Sequence, residues 1–332
     1  MRLVTVDPAA PDPRTIREAA RLLREGGLVA FPTETVYGLG ANALDEVAVR
    51  RIFAAKGRPA YNPLIAHVAD VDDARRYAAV WPEAAERLAR RFWPGPLTLV
   101  VPKRPEIPDA VTAGLGSVAL RVPSHPVAHA LVAAAGIPVA APSANRYTAV
   151  SPTTAQHVAA GLGEAVEMVL DAGPTSVGIE STVVDLSGER PTLLRPGTIP
   201  PSELEAVVGP LARPEAIAGA APRPGPGMVR RHYSPSAELR LYPRDERDRM
   251  ADDARAAVAG GRRVGGMLLL PLAAPLEHPI LMPSDAADYA REIYAALHRL
   301  DDAGCDVIVA DEVPEGPEWT GVRDRLARAA ER

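Results

Sequence analysis

The chain has 332 residues, 47% of them hydrophobic and only 4% aromatic, with a formal net charge of −5. That is apolar material for one large core or two, and the acidic balance argues against gripping nucleic acid over the whole surface. The single cysteine, Cys305, rules out an internal disulfide, and no Cys/His spacing suits zinc.

With so few aromatics, the core must come from Ala, Val, Leu and Ile, which suits strands packed under Ala-rich helices. Met1 to Ala10 carries Asp7 and Pro8 and no apolar run, so no signal peptide is expected. The longest apolar stretch of the C-terminal half, Val264 to Leu272, is too short to cross a bilayer. A soluble cytoplasmic protein is expected.

Periodicity predicts a helix over Arg14–Arg24, closed by Gly26-Gly27, then a buried strand Leu28–Phe31 and a helix Asp45–Ala55. Strand Leu64–Val68 and helix Ala84–Phe92 follow, then strands Leu97–Val101 and Val118–Val122. Next come helix Pro126–Ala135, stopped at Gly136, strand Ile137–Ala141, and helix Thr153–Leu162 with Ser151 or Thr153 as its cap. Strands Met168–Leu170, Ser181–Leu186 and Thr192–Leu194 complete an α/β pattern with a mixed sheet. Ala212–Ser236 is rich in Pro, Gly and Ala and basic, with Arg213, Arg223, Arg230 and Arg231 against Glu215, and reads as a linker. Beyond it come strand Leu239–Tyr242, helix Glu246–Ala259 with Asp245 as cap, strand Val264–Leu270, helix Asp285–Asp302, strand Val307–Ala310 and helix Val322–Ala330. The expected domains are 1–208, a linker 209–237, and a smaller Rossmann-like α/β domain 238–332.

Six polar segments sit at or between the predicted strands. Phe31 to Gly40 reads as a buried strand running into a hydroxyl-rich loop with two glycines, the place where α/β sheets bind ligands. Lys56, Arg58, Asn62 and His67 surround a Pro-bounded turn. Lys56 is one of only two lysines in a chain that otherwise uses Arg, so its retention carries weight. Arg121 lies inside an apolar strand and needs an anion, either an internal carboxylate or a substrate one. Val139–Asn145 runs into Ser143-Ala144-Asn145, with Ser151-Pro152 after it; Gly178–Val184 carries Glu180 and Ser181; Arg195 ends another strand. Each alone has an ordinary explanation: Lys56 answers a helix dipole, His67 is a core histidine, the hydroxyls cap turns. Six such strand ends, rich in cations and hydroxyls and without an acid pair, point to a ligand with several phosphates.

Together these residues resemble the YrdC-like family, the L-threonylcarbamoyladenylate synthases. Pro32 to Gly40, Lys56-Gly57-Arg58 with Asn62-Pro63-Leu64, and Ser143-Ala144-Asn145 carry the likeness, which runs over nearly the whole chain. The linker His232-Tyr233-Ser234-Pro235 and the added α/β domain are similar to the long, two-domain members. The resemblance implies an open twisted mixed sheet with a deep cavity, and formation of threonylcarbamoyl-AMP from L-threonine, bicarbonate and ATP. It places L-threonine on Thr35, His67, Arg121, Ala141 (through backbone) and Ser181. It places ATP on Arg58, Asn62, Ser117, Ser143, Ser151 and Arg195, with Lys56 and Asn145 near by and Tyr233 as part of a lid. Lys56 and Arg58 are the expected catalytic residues. Mg²⁺ would accompany ATP, no metal would be held by the protein alone, and tRNA would be reached only through a transferase partner, away from any membrane. Pro314–Trp319 is Pro- and Glu-rich where the family has a longer glycine-containing stretch. Three other readings are a carbamoyl-transfer domain of the hydrogenase-maturation kind, whose acylphosphatase and zinc-finger segments are missing here, an RNA-binding module, which the net charge disfavours, and a purely structural role, which leaves Arg121 and Arg195 unexplained.

Overall fold

A computed structural model of the chain describes residues 1–214, 225 and 232–331. Its first part runs β1 (Arg2–Thr5), α1 (Pro13–Arg24), β2 (Val29–Pro32), β3 (Tyr37–Asn42), α2 (Glu46–Lys56), β4 (Ile65–His67), α3 (Val71–Tyr77), α4 (Glu83–Phe92), β5 (Leu97–Pro102), α5 (Asp109–Thr112), β6 (Ser117–Arg121), α6 (Pro126–Ala135), β7 (Val139–Ala140), α7 (Ala155–Leu162), β8 (Met168–Asp171), β9 (Thr182–Asp185), β10 (Thr192–Arg195) and α8 (Pro201–Val208). The second part is β11 (Glu238–Tyr242), α9 (Arg247–Ala259), β12 (Val264–Leu268), β13 (His278–Leu281), α10 (Ala286–Asp302), β14 (Val307–Asp311) and α11 (Thr320–Ala330).

The first part is one mixed ten-stranded sheet in the order β1-β8-β2-β3-β7-β4-β6-β5-β9-β10. Alternation along β2 shows how it is covered: Ala30 joins the core under α2, α4 and α7, while Val29 and Phe31 join the core under α1 and α6. The second part is a four-stranded parallel sheet, β11-β14-β12-β13. Its core is continuous with the first part, because Val36, Val150 and Ile179 pack with Tyr294, Leu297 and Val322. The fold class expected from the sequence, a large mixed α/β sheet with a smaller α/β unit, is the one observed.

Several local expectations change. Tyr37–Gly40 is strand β3 rather than loop, paired antiparallel with β2. Its glycines serve packing: a Cβ on Gly40 would stand 2.7 Å from the Phe31 ring. The cap of α7 is Thr154, whose hydroxyl accepts from the His157 N–H, and not Ser151 or Thr153. Asp245 does not cap α9, because a 3-10 turn over Arg244–Glu246 precedes that helix. β1, β13, α3 and α8 were not legible: the strands are short and partly exposed, and Pro279 breaks the pattern of β13. Arg223, Arg230, Arg231 and Glu215 of the linker lie outside the described residues.

Candidate active site

The β2–β3 hairpin turn is organised by Thr33. Its hydroxyl donates to the Val36 carbonyl at 2.7 Å and accepts from the N–H groups of Thr35 and Val36. This presents Thr35 and Glu34 to the end of β6. There the Arg121 guanidinium reaches Glu34 Oε1 at 2.7 Å, Thr35 Oγ1 at 3.0 Å and the Gly95 carbonyl at 3.3 Å. The anion left open by the sequence is therefore in part internal, and Glu34 was the residue to look for. His67 is the register partner of Arg121 on the parallel neighbour β4. Both its ring nitrogens are buried without a partner among the described residues. Burial first, then the Arg121 charge, push its pKa down to about 3, so the ring is neutral.

The second wall starts at the C-terminus of α2. Gly57, in the left-handed region (φ 62°), turns the chain so that Lys56 and Arg58 diverge. Lys56 points behind the cavity: its ammonium donates to the carbonyls of Ser143 and Asn145, both at 2.5 Å, and to Asn145 Oδ1 at 3.2 Å. It thereby pins the loop that carries Ser143. Arg58 faces the cavity, held by the carbonyls of Asn62 and Pro63. Asn62 itself donates to the Tyr147 hydroxyl. Arg195 enters from β10, donating to the Ser181 carbonyl at 2.9 Å and its hydroxyl at 3.0 Å. Among the described residues neither Arg58 nor Arg195 pairs with a carboxylate. Burial lowers the pKa of Lys56, Arg58 and Arg195 alike, Arg58 to about 10. Arg58 and Arg195 are thus two buried cations facing the cavity, a charge balance that suits an anion, while Lys56 spends its charge on the Ser143–Asn145 loop.

The cavity brings together Thr35, Arg58, His67, Arg121, Ala141, Ser143, Ser181, Arg195 and Tyr233 of the expected set. The Ala141 N–H is already used by the Ile65 carbonyl, which leaves its own carbonyl for a ligand. Lys56, Asn62 and Asn145 stand behind the wall, and the Ser151 hydroxyl is turned to Glu180 at 2.5 Å. Ser117 lies at the far end of β6, four residues or about 13 Å of strand from Arg121.

Tyr233 closes the space from above. Its backbone is in the left-handed region (φ 61°), a conformation that costs of order 1 kcal/mol for a tyrosine and marks a constrained site. Its hydroxyl is buried and has no partner among the described residues. His232 beside it also lines the cavity. The volume of the space they line is about 50 Å³.

Sequence reasoning missed Glu34 as a partner, Glu180 as an ionic centre, and Arg325 of α11, which meets Glu180 at 2.7 Å. One signal for Arg325 was available: it occupies the apolar stripe Val322, Leu326, Ala329 of an amphipathic helix. Burial pushes the Glu180 carboxyl up, but Arg325 and Arg195, with hydrogen bonds from Ser151 and Arg325, outweigh it and hold the group at about 2.

Comparison with known proteins agrees with this architecture. A family model described as "Telomere recombination" (Sua5, YciO and YrdC) matches residues 21–197, and one described as "Threonylcarbamoyl-AMP synthase, C-terminal domain" matches residues 199–331. The chain is 45% identical to the threonylcarbamoyl-AMP synthase of Pyrococcus abyssi, with 95% of this chain and 94% of that one covered. It is 41% identical to the Bacillus subtilis enzyme of the same name, with 98% and 96% covered. The crystal structure of P. abyssi Sua5 complexed with L-threonine superposes with a TM-score of 0.94 at 42% identity, covering 99% of this chain and 98% of that one. The cation-lined cavity, the second α/β unit and these full-length matches lead to one conclusion: the chain belongs to the threonylcarbamoyl-AMP synthase family, in its two-domain form.

Proposed function

We propose that the cavity forms threonylcarbamoyl-AMP and pyrophosphate from L-threonine, bicarbonate and ATP, supplying the activated group for threonylcarbamoyl-adenosine in tRNA. The observation that carries the reading is the division of the cavity into two ends. One end has Arg121, held by Glu34 and Thr35, beside a neutral His67 with two unpartnered nitrogens. The other has Arg58 and Arg195, buried cations without a carboxylate of their own among the described residues. The first end suits an amino acid: Arg121 for its carboxylate, with Thr35, His67, the Ala141 carbonyl and Ser181 around its amine and hydroxyl. The second suits a triphosphate, taken by Arg58, Ser143 and Arg195 and supported from behind by Lys56, Asn62, Asn145 and Ser151. Ser117 belongs to the nucleotide end of this reading only if ATP extends along β6.

The threonine amine attacks the carbon of bicarbonate, forming a C–N bond with loss of water. An oxygen of the new carbamate attacks the α-phosphorus, and the bond to the bridging oxygen breaks to release pyrophosphate. Neither step needs a covalent enzyme nucleophile; both need alignment and neutralised phosphate charge. Neutral His67 can hold the amine as a free base without adding charge, and Arg58 and Arg195 face the charge that grows on the leaving group. The described cavity is far smaller than the several hundred Å³ of a nucleotide site, so ATP enters as His232 and Tyr233 move off, and Tyr233 then closes over it.

Glu34 and Glu180 are each engaged by an arginine, and among the described residues no group of three His, Cys, Asp or Glu is placed to hold a metal ion. These side chains do not make a metal site of their own. Mg²⁺ belongs to this reading only as the ion that ATP brings. Among the described residues no helix is long and apolar enough to cross a membrane; action in the cytoplasm, with hand-over to a tRNA-modifying transferase, is part of the same proposal.

The test is pyrophosphate release from ATP by the purified protein. Release that requires both L-threonine and bicarbonate is expected. ATP turnover indifferent to threonine would overturn the reading.

A further inference from the structure

Arg325 belongs to the second domain, and most of its hydrogen bonds reach into the first. It is the largest fully buried side chain of the described residues. Nε donates to Glu180 Oε2 at 2.7 Å and Nη2 to the Glu180 carbonyl at 3.4 Å. Nη1 donates to the Pro196 carbonyl at 3.0 Å and to Asp324 at 2.7 Å. The guanidinium carbon lies 5.1 Å from the centre of the Tyr233 ring. Glu180 is completed by the hydroxyls of Ser151 at 2.5 Å and Tyr294 at 3.0 Å. Glu180 precedes Ser181 in the chain and Pro196 follows Arg195, so one guanidinium ties the two backbone segments that present Ser181 and Arg195 to the cavity. The contact is close. A Cβ on Gly321, in the first turn of α11, would stand 2.3 Å from the Gly197 carbonyl oxygen, and one on Gly178 would stand 2.3 Å from the backbone of α10.

We propose that Arg325 is a positioning residue for the ATP end of the cavity: it neutralises Glu180, and so leaves Arg195 free to take phosphate. Glu180 is an ionised carboxylate in the wall of a site for a polyanion. A buried carboxylate without a partner is strongly destabilised. After Arg325, the guanidinium whose charge acts on it among the described residues is that of Arg195, in the same cavity wall. Without Arg325, Arg195 turns to Glu180, and the cavity loses one phosphate ligand while keeping the repelling charge. With Arg325 present, the hydrogen bonds of Arg195 among the described residues go to Ser181. The last helix of the second domain therefore sets the charge of a site built in the first. This inference rests on the reading of Arg195 as a phosphate ligand.

The experiment measures KM for ATP and for L-threonine in Arg325→Met, which keeps length and removes charge, in Glu180→Gln, in the double variant, and in Arg195→Ala. The expected result is an ATP KM raised roughly tenfold or more in Arg325→Met, threonine KM moving less, and recovery to within about twofold of Glu180→Gln in the double variant. A merely structural arginine would lower the melting temperature, leave the ATP KM in place, and give no recovery. An unchanged ATP KM in folded Arg325→Met, or a double variant no better than Arg325→Met, overturns the proposal. If Arg325→Met does not fold, the double variant against Glu180→Gln decides: equal ATP KM supports the proposal and a tenfold gap overturns it. An Arg195→Ala variant with unaltered ATP KM would instead remove the phosphate-ligand reading on which this one stands.

Discussion

His67 and Arg121 are register partners on the parallel strands β4 and β6, so an imidazole and a guanidinium stand side by side in the cavity wall. Their proximity is one reason the histidine is neutral. Arg121→Ala is expected to raise the KM for L-threonine about 100-fold, the scale of a lost charge-assisted carboxylate contact, with a much smaller effect on ATP. His67→Gln should weaken threonine binding without changing the pH–rate profile between pH 6 and 8, because the imidazole does not titrate there. Initial rates over a threonine series at several pH values check both.

Lys56 is expected to act through the loop it holds. The residue is 3% exposed, and its ammonium is the hub for two carbonyls and the Asn145 amide oxygen. Lys56→Ala should lower kcat/KM for ATP by roughly two orders of magnitude, and Lys56→Arg should not restore it, since a planar fork cannot replace a point charge in that pocket. Single-turnover pyrophosphate release reads the effect.

Acid should destabilise the protein earlier than carboxylate chemistry alone would. Burial depresses the pKa of His67 to about 3 and of His157 to about 4, and lowers those of His298 and His232. His157 and His298 stack at 3.8 Å across the interface of α7 and α10. Each folded pKa lies below the unfolded value of 6.5, so the unfolded chain binds more protons in between. The stability these histidines contribute is complete above pH 6.5 and falls as pH drops through that window, because the unfolded chain takes up protons there. Glu180, held at about 2 against an ordinary 4.5, adds a loss only below pH 4.5. Melting temperature measured from pH 8 to 4 checks this; a flat curve down to pH 5 would contradict it.

Domain docking should be sensitive to a single methyl group. Gly321→Ala places a carbon where the Gly197 carbonyl stands, and backbone cannot yield as a flexible side chain does. A loss of about 2–3 kcal/mol is expected, the scale of overpacking a tight contact. Gly57→Ala, which has open space around its Cβ position, meets only left-handed backbone strain and should cost about 1 kcal/mol. Denaturant unfolding of the two variants gives the comparison.

The sequence determined the class of fold and the chemical character of the site. Helices such as α1, α6 and α10 carry their own periodicity and stops, and the strands with unbroken apolar runs declare themselves. The polar segments around Thr35, Arg58, His67, Arg121, Ser143, Ser181 and Arg195 stood out beside apolar runs, and the family resemblance supplied the individual residues within them. Only the tertiary structure decided what those residues pair with. Glu34 looked like one polar residue of a turn until the hairpin placed it on Arg121, 87 positions away. Glu180 meets Arg325 across 145 positions and two domains. A pairing of charges is set by distance in space, and distance in space is fixed by how the two sheets pack, which no local pattern encodes.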